Sequence, residues 1–328
     1  MPNIYISADF EGPFGMYSFI NSSHDLARYH SLDNVFRQLI SIHHRLHLPL
    51  TVATLAVVCL PSVDSFIKLF PNHSIYPETS LVHKFFHDYS FFNLVIKEQS
   101  AFFKYHLIKE LIPSLDPSII KFCSHSLSHV HFAESFVSSS CLLHELLVSF
   151  YLLSKTIPSE FILNSLVLPR NQLSNDLIVF LEGSPYRSVR LSSKLRLFSE
   201  NHDSGTLQKF YWKFLRYFFM ISNSKIPSHL LQNTSLPRSE LSNNKCINFI
   251  DSGLFIRFPK TSRSGFYVDN FRYIKSYINH SVKFSNDISL WYHPHNLLDN
   301  PQKSLILYNN ILEYLLTNLP SNYRFCFL

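Results

Sequence analysis

Four short segments concentrate the side chains able to polarise, protonate or deprotonate a substrate: Ser7-Ala8-Asp9-Phe10-Glu11-Gly12-Pro13, His125-Ser126-Leu127-Ser128-His129, Leu168-Pro169-Arg170-Asn171-Gln172 and Trp291-Tyr292-His293-Pro294-His295-Asn296. Together they supply two carboxylates, a histidine pair, an arginine and a separate histidine. Two imidazoles four residues apart can share one divalent ion, on a helix face or in a tight turn. A carboxylate added to them leaves positions open for water and substrate. A second carboxylate can then act as base, and an arginine can hold it ionised and oriented. A histidine beside an apolar wall such as Leu290-Trp291-Tyr292 can give a proton to a leaving amine. The set suits hydrolysis at a divalent-metal site.

Spacing alone does not select the histidines. Among 18 histidines about one such pair is expected by chance, and the chain has His43/His47, His83/His87 and His125/His129. His43 and His47 fall in an amphipathic helix, where a surface or packing role is the simpler reading. His83 and His87, around Lys84-Phe85-Phe86 and beside Asp88, are a competing pair. His125 and His129 follow an apolar strand and are separated by small residues, as at a strand end opening to solvent, although core or loop histidines fit that pattern too. The other members have plain alternatives as well: Asp9 and Glu11 as caps of a turn, Arg170 as a surface ion pair, and His293 as a loop histidine before Pro294.

An apolar run precedes each segment. Ile4 to Ser7 is β-prone and breaks at Gly12-Pro13, which places Asp9 and Glu11 at a strand's C-terminal end. Val35, Leu39, Ile42 and Leu46 repeat at helical spacing, with Ser31 and Asp33 as candidate caps and Pro49 just beyond. A strand is expected over Thr51 to Leu60, a helix over Ser100 to Leu111, and a strand from Ser118 to Cys123 leading to His125. Leu142, Leu146, Phe150 and Leu153 mark a helix bounded by Pro158, and Phe161 to Leu168 reads as a strand ending before Arg170. A helix from Leu207 to Ile221, strands near Leu254 to Phe258 and Ser289 to Tyr292, and a helix from Gln302 to Leu316 follow. Strands alternating with helices predict an α/β fold with functional groups at strand ends.

The 328 residues suffice for a large core, and 46% hydrophobic with 16% charged residues indicates a globular chain. One catalytic domain over 1–328 is the expectation. Five cysteines, never in Cys-x-x-Cys spacing, indicate neither a disulfide framework nor a structural zinc site, and a reducing, cytoplasmic setting fits them. The N-terminus lacks the pattern of a signal peptide, and the most apolar stretch, Leu48 to Pro61, is too short to span a bilayer. The net charge of +6 comes without a Lys/Arg block, and nucleic-acid binding is disfavoured. Lys209, Lys213 and Arg216 share a stripe beside Phe210, Phe214, Tyr217 and Phe218. Core packing under a basic outer face explains it, and peripheral membrane contact through 207–221 is the alternative.

Taken together, the four segments resemble the motifs of the polysaccharide deacetylase family (the NodB-homology domain of carbohydrate esterases). Ser7 to Gly12 is similar to the family's first motif in an Asp-x-Asp/Glu form, His125 to His129 to its histidine motif, Pro169-Arg170-Asn171-Gln172 to its arginine motif and Trp291-Tyr292-His293-Pro294 to its last motif. The resemblance implies a distorted (β/α) barrel of about seven strands that removes acetyl groups from N-acetylated sugars with zinc or another divalent ion such as cobalt, nickel, iron or manganese. It also implies roles: Asp9 as general base, Glu11, His125 and His129 as metal ligands, Arg170 as the residue positioning Asp9, and His293 as general acid. Trp291 and Tyr186 would face the substrate. Phe10 departs from the family's usual adjacent aspartates, and Tyr186-Arg187, in Gly183-Ser184-Pro185-Tyr186-Arg187, fits a remnant of the family's remaining motif or equally a turn. Within the same scaffold a deformylase, another amide hydrolase or a non-catalytic sugar-binding relative are the alternatives.

Overall fold

The computed structural model describes residues 1–132, 137–169, 175–191, 247–258 and 270–328. Among them nine strands form one all-parallel sheet: β1 (Asn3–Phe10), β2 (Leu50–Thr54), β3 (Ile120–Ser124), β4 (Ile162–Val167), β5 (Ser188–Leu191), β6 (Asn248–Asp251), β7 (Leu254–Phe255), β8 (Ile288–Tyr292) and β9 (Arg324–Cys326). The order is β6-β5-β4-β3-β2-β1-β8-β7, with β9 added to the start of β1. Parallel strands covered by helices are buried on both faces, which is why Ile4 to Phe10 is buried without alternation.

The two ends of this sheet are joined by the chain itself. β6 pairs with β5 and β7 with β8, and only Ser252-Gly253 separates β6 from β7. The Ser252 amide donates to the Leu191 carbonyl and the Ile256 amide to that of Trp291. Gly253 makes the bend at φ +63°, where a Cβ would run into the Ser289 carbonyl. With β6 and β7 taken as one bent strand, β1 to β5, that strand and β8 make a seven-membered (β/α) barrel, as the family resemblance implied.

The helix Leu32–Leu46 buries Val35, Phe36, Leu39 and Ile40, and ends at His47, whose left-handed φ of 51° caps it two residues before Pro49. Ser31 stands at its start but donates to the Arg28 carbonyl rather than capping. The expected strand over Thr51 to Leu60 is half strand only. After Thr54 the chain enters a 3₁₀ turn, Ala56–Cys59, and the Ala56 and Val57 amides donate to Ser126 and Leu127 of the histidine loop. A continuous buried apolar run does not distinguish these conformations. The helix expected over Ser100 to Leu111 is two, Gln99–Phe102 and Tyr105–Leu111. They are parted at Lys104, whose buried ammonium reaches the Ser100 carbonyl and the Asp33 carboxylate, each at 2.8 Å.

Inside the barrel, Tyr5, Ala53, Cys123, Val167 and Ile250 pack with Leu328. Leu328 is held by its amide to Thr51 Oγ1 and its carbonyl from Ser165 Oγ. Among the described residues no helix is long and apolar enough to cross a membrane. The segment 207–221 lies outside them.

Candidate active site

The C-terminal ends of β1, β3, β5 and β8 carry the chemistry. Asp9 is the last residue but one of β1 and Glu11 follows it directly. His125 follows β3, Arg190 sits within β5, and His293 follows β8. In parallel barrels this rim gathers residues from several strands around one opening.

Asp9 and Arg190, each only 1% exposed, form a bidentate pair, Nη1 to Oδ1 at 2.8 Å and Nη2 to Oδ2 at 2.5 Å. Nη1 also donates to Ser7 Oγ at 2.8 Å. Asp9 stands level with Ala53, and Ala53 with Cys123, so small side chains leave room for the guanidinium to cross from β5 to β1. Trp291 covers it, the ring centroid 4.7 Å from the guanidinium carbon.

Glu11 is the hub. His125 Nε2 lies 2.6 Å, His129 Nε2 3.2 Å and His293 Nε2 3.4 Å from its Oε1. Burial alone would push its carboxyl up, but the charges of His129 and His293 and the hydrogen bonds from His125 and His129 hold it well below the usual carboxylate range. Its carboxylate folds back onto Gly15. A Cβ at Gly15 would overlap that carboxylate and lie 2.6 Å from the Cβ of Glu11.

His125 Nδ1 lies 2.8 Å from the Val167 carbonyl, to which it donates, and this anchor turns Nε2 toward Glu11. Nε2 and the Glu11 oxygen, 2.6 Å apart, need a proton between them or a cation beside them. Glu11, His125 and His129 offer ligand atoms all within 4.8 Å of one another, and an imidazole anchored through its other nitrogen is the usual form of a metal-binding histidine. The donor set therefore fits a divalent ion. Among the described residues the only other such group is Asp9, Glu11 and His293, which shares Glu11.

His293 sits between aromatic neighbours, stacked on His295 at 5.0 Å and edge-on to Trp291 and Phe255. Burial lowers its pKa, but Glu11 and then Asp9 outweigh this, and the net shift is upward. The Asn296 side-chain amide faces Nδ1 at 3.4 Å, and Nε2 points toward the site, 3.4 Å from Glu11 Oε1. His295, buried behind it, is pushed down to about 3, chiefly by desolvation.

The site thus gathers Asp9, Glu11, His125, His129, Trp291 and His293 of the sequence-derived set. Arg170 lies outside the described residues. Tyr186, expected at the substrate, is instead fully buried beneath the helix Ser139–Thr156, its hydroxyl bonded to Ser149 Oγ and the Leu146 carbonyl. A tyrosine after Ser-Pro resembles a turn residue in sequence, and only its packing shows it as core. Of the other histidine pairs, His43 is a satisfied core residue bonded to the Leu48 carbonyl and Tyr308 hydroxyl, and His83 stacks on His87 on another helix.

Sequence reasoning missed Arg190, although Ser188-Val189-Arg190-Leu191 is a short β-prone run with Arg190 on the same face as Ser188. It also missed Glu145. This buried carboxylate accepts from the Leu127 and Ser128 amides at 3.0 Å each and from the Ser128 hydroxyl. Burial raises its pKa above the ordinary glutamate value, against hydrogen bonds that lower it.

No known family model matches the chain, and no curated protein does. Solved structures do. A protein from Mycobacterium smegmatis provisionally named a polysaccharide deacetylase superposes over 98% of this chain and 85% of its own, with a TM-score of 0.52 and 7% identity. At that identity the likeness is one of fold. A 4-α-glucanotransferase from Thermococcus litoralis (TM-score 0.44, 8% identity, 99% of this chain and 39% of that one) and an α-amylase from Thermotoga maritima (0.47, 9%, 99% and 73%) align less well.

Proposed function

We propose that this chain hydrolyses the N-acetyl group of an amino sugar in a polysaccharide, oligosaccharide or glycan precursor, giving acetate and a free amine. The observation that carries the reading is the convergence, on one barrel rim, of a two-histidine, one-carboxylate donor set with an arginine-held carboxylate and a proton-bearing histidine. The deacetylase named among the similar folds supports the choice of substrate class.

Glu11, His125 and His129 would hold the ion, and a set of two nitrogens and one oxygen favours zinc. Such an ion supplies Lewis-acid polarisation of the acyl oxygen. Asp9, fixed through both oxygens by Arg190, still has a lone pair on each and accepts the proton of the attacking water. His293 donates from Nε2 to the departing nitrogen, since Nδ1 is turned to Asn296. Trp291 closes the wall beside both groups and shields the Asp9–Arg190 pair from solvent.

The test is acetate release from a panel of N-acetylated saccharides and nucleotide sugars by protein supplied with zinc or cobalt. The wild type should turn over at least one member, and Asp9→Asn and His125→Ala should lose turnover while staying folded. Equal release by wild type and both variants would refute the assignment.

A further inference from the structure

The loop that carries His125 and His129 is short, and its backbone is in an uncommon shape. Ser126 and His129 both have positive φ, 66° and 65°, without being glycine. Such a conformation persists only where its surroundings over-determine it. The bonds that do so come from all sides. The His125 amide donates to the Thr54 carbonyl, the Ser126 amide to Ser124 Oγ and the His129 amide to Ser126 Oγ, while the Ser126 and Leu127 carbonyls accept from Ala56 and Val57.

The middle of the loop, Leu127-Ser128, is gripped from outside by Glu145, with the Tyr76 hydroxyl bonded to both Ser128 and Glu145. Glu145, on the helix Ser139–Thr156, takes both successive amides on Oε2 and the Ser128 hydroxyl on Oε1. Glu145 is completely buried, on the same stripe as Cys141, Leu142, Leu146 and Ser149. A carboxylate in that place is costly unless its acceptors are used, and here they are used on the link between the two imidazoles.

We propose that Glu145 is a positioning residue for metal binding: by gripping the Leu127 and Ser128 amides it holds His125 and His129 at the spacing from which both reach Glu11. It touches neither ion nor substrate. The proposal rests on the reading of Glu11, His125 and His129 as ligands, and it is geometric, depending on where the acceptor oxygens stand rather than on their charge. Gln at 145 can place its carbonyl where Oε2 stands and turn its amide to Ser128 Oγ, which then accepts. Asp at 145 keeps the charge but retracts it by one methylene, out of reach of the amides.

The experiment is titration of the full chain with cobalt(II), reading both affinity and the visible spectrum at saturation, for wild type, Glu145→Gln, Glu145→Asp and Glu145→Ala. A loss of roughly 10–100-fold in affinity is expected for Asp and Ala, the range seen when outer supports of metal ligands are removed. The saturated spectrum of those variants should change, a readout that general destabilisation of the fold does not move, and Gln should restore both. If Ala does not fold, the opposed behaviour of Gln and Asp carries the test. Retention by Asp with loss by Gln would make the effect one of charge and overturn the proposal, and so would wild-type behaviour in every folded variant. A wild type that binds no cobalt would overturn the ligand reading itself, and the proposal with it, a result distinct from wild-type binding that Glu145 does not influence.

Discussion

Replacing Arg190 by Met should leave a buried carboxylate without its cation, and the size of the effect follows from the geometry. Both partners are 1% exposed, so solvent screens the pair little. Contacts of 2.5 and 2.8 Å put the two charge centres about 4 Å apart, an attraction of about 4 kcal/mol at an effective dielectric near 20. Removing one member of a buried pair costs about 3–5 kcal/mol in comparable cases, because the other charge stays desolvated. Arg190→Met should therefore lower unfolding stability by about 3–5 kcal/mol. Asp9→Asn combined with Arg190→Met removes both charges, and should be less destabilised than the sum of the singles by about 2 kcal/mol or more. Arg190→Lys keeps a charge but not the fork, and should fall between wild type and Met. The assay is urea unfolding at neutral pH in chelator, followed by tyrosine and tryptophan fluorescence, so that ion binding adds nothing to the stability. Arg190→Met within about 1 kcal/mol of wild type, or purely additive singles, would refute the claim that the pair is buried from bulk solvent and energetically coupled.

Two further perturbations probe independent parts of the structure. Gly15→Ala should displace the Glu11 carboxylate, since its Cβ would overlap that group, and divalent affinity measured by calorimetry should fall to the level of Glu11→Ala; wild-type affinity in Gly15→Ala would show that Glu11 is not a ligand. Burial pushes His43 down to about 4 from 6.5, so the unfolded chain takes up its proton first, and this contribution is whole above pH 6.5 and lost as pH falls toward 4. Wild type should lose about 3 kcal/mol relative to the non-titrating His43→Gln variant over that window, and parallel urea-midpoint curves for the two would rule this out.

The alternating pattern and the turn residues made the α/β class legible, because strands buried on both faces and helices with one buried stripe leave different periodicities, whereas the barrel itself was implied only by the family resemblance. Val35 and Leu39 face the core as their spacing required, and β1, β3, β4 and β8 lie where their apolar runs ended. The errors fell where burial is complete and periodicity vanishes, as at Ala56–Cys59, or where one buried charge interrupts a helix, as at Lys104. The site divides in the same way. Asp9, Glu11, His125, His129 and His293 lie at or just beyond strand ends that local sequence can locate, and so they could be named before their distances were known. Arg190 and Glu145 could not be named in that way, because each acts across the fold. Arg190 reaches a carboxylate 181 positions earlier in the chain, and Glu145 anchors a loop that lies one element before its own helix. What identifies such residues is the mismatch between a charge and the apolar stripe carrying it: Glu145 shares its buried face with Cys141 and Ser149, and Arg190 stands in the middle of a four-residue strand. A buried charge must be matched by a partner, so a charged residue on a core-facing stripe already implies a polar group opposite it. In this chain those two partners are the candidate base, Asp9, and the loop between the candidate ligands His125 and His129, which ties these two buried charges to the rim where the chemistry is proposed to occur.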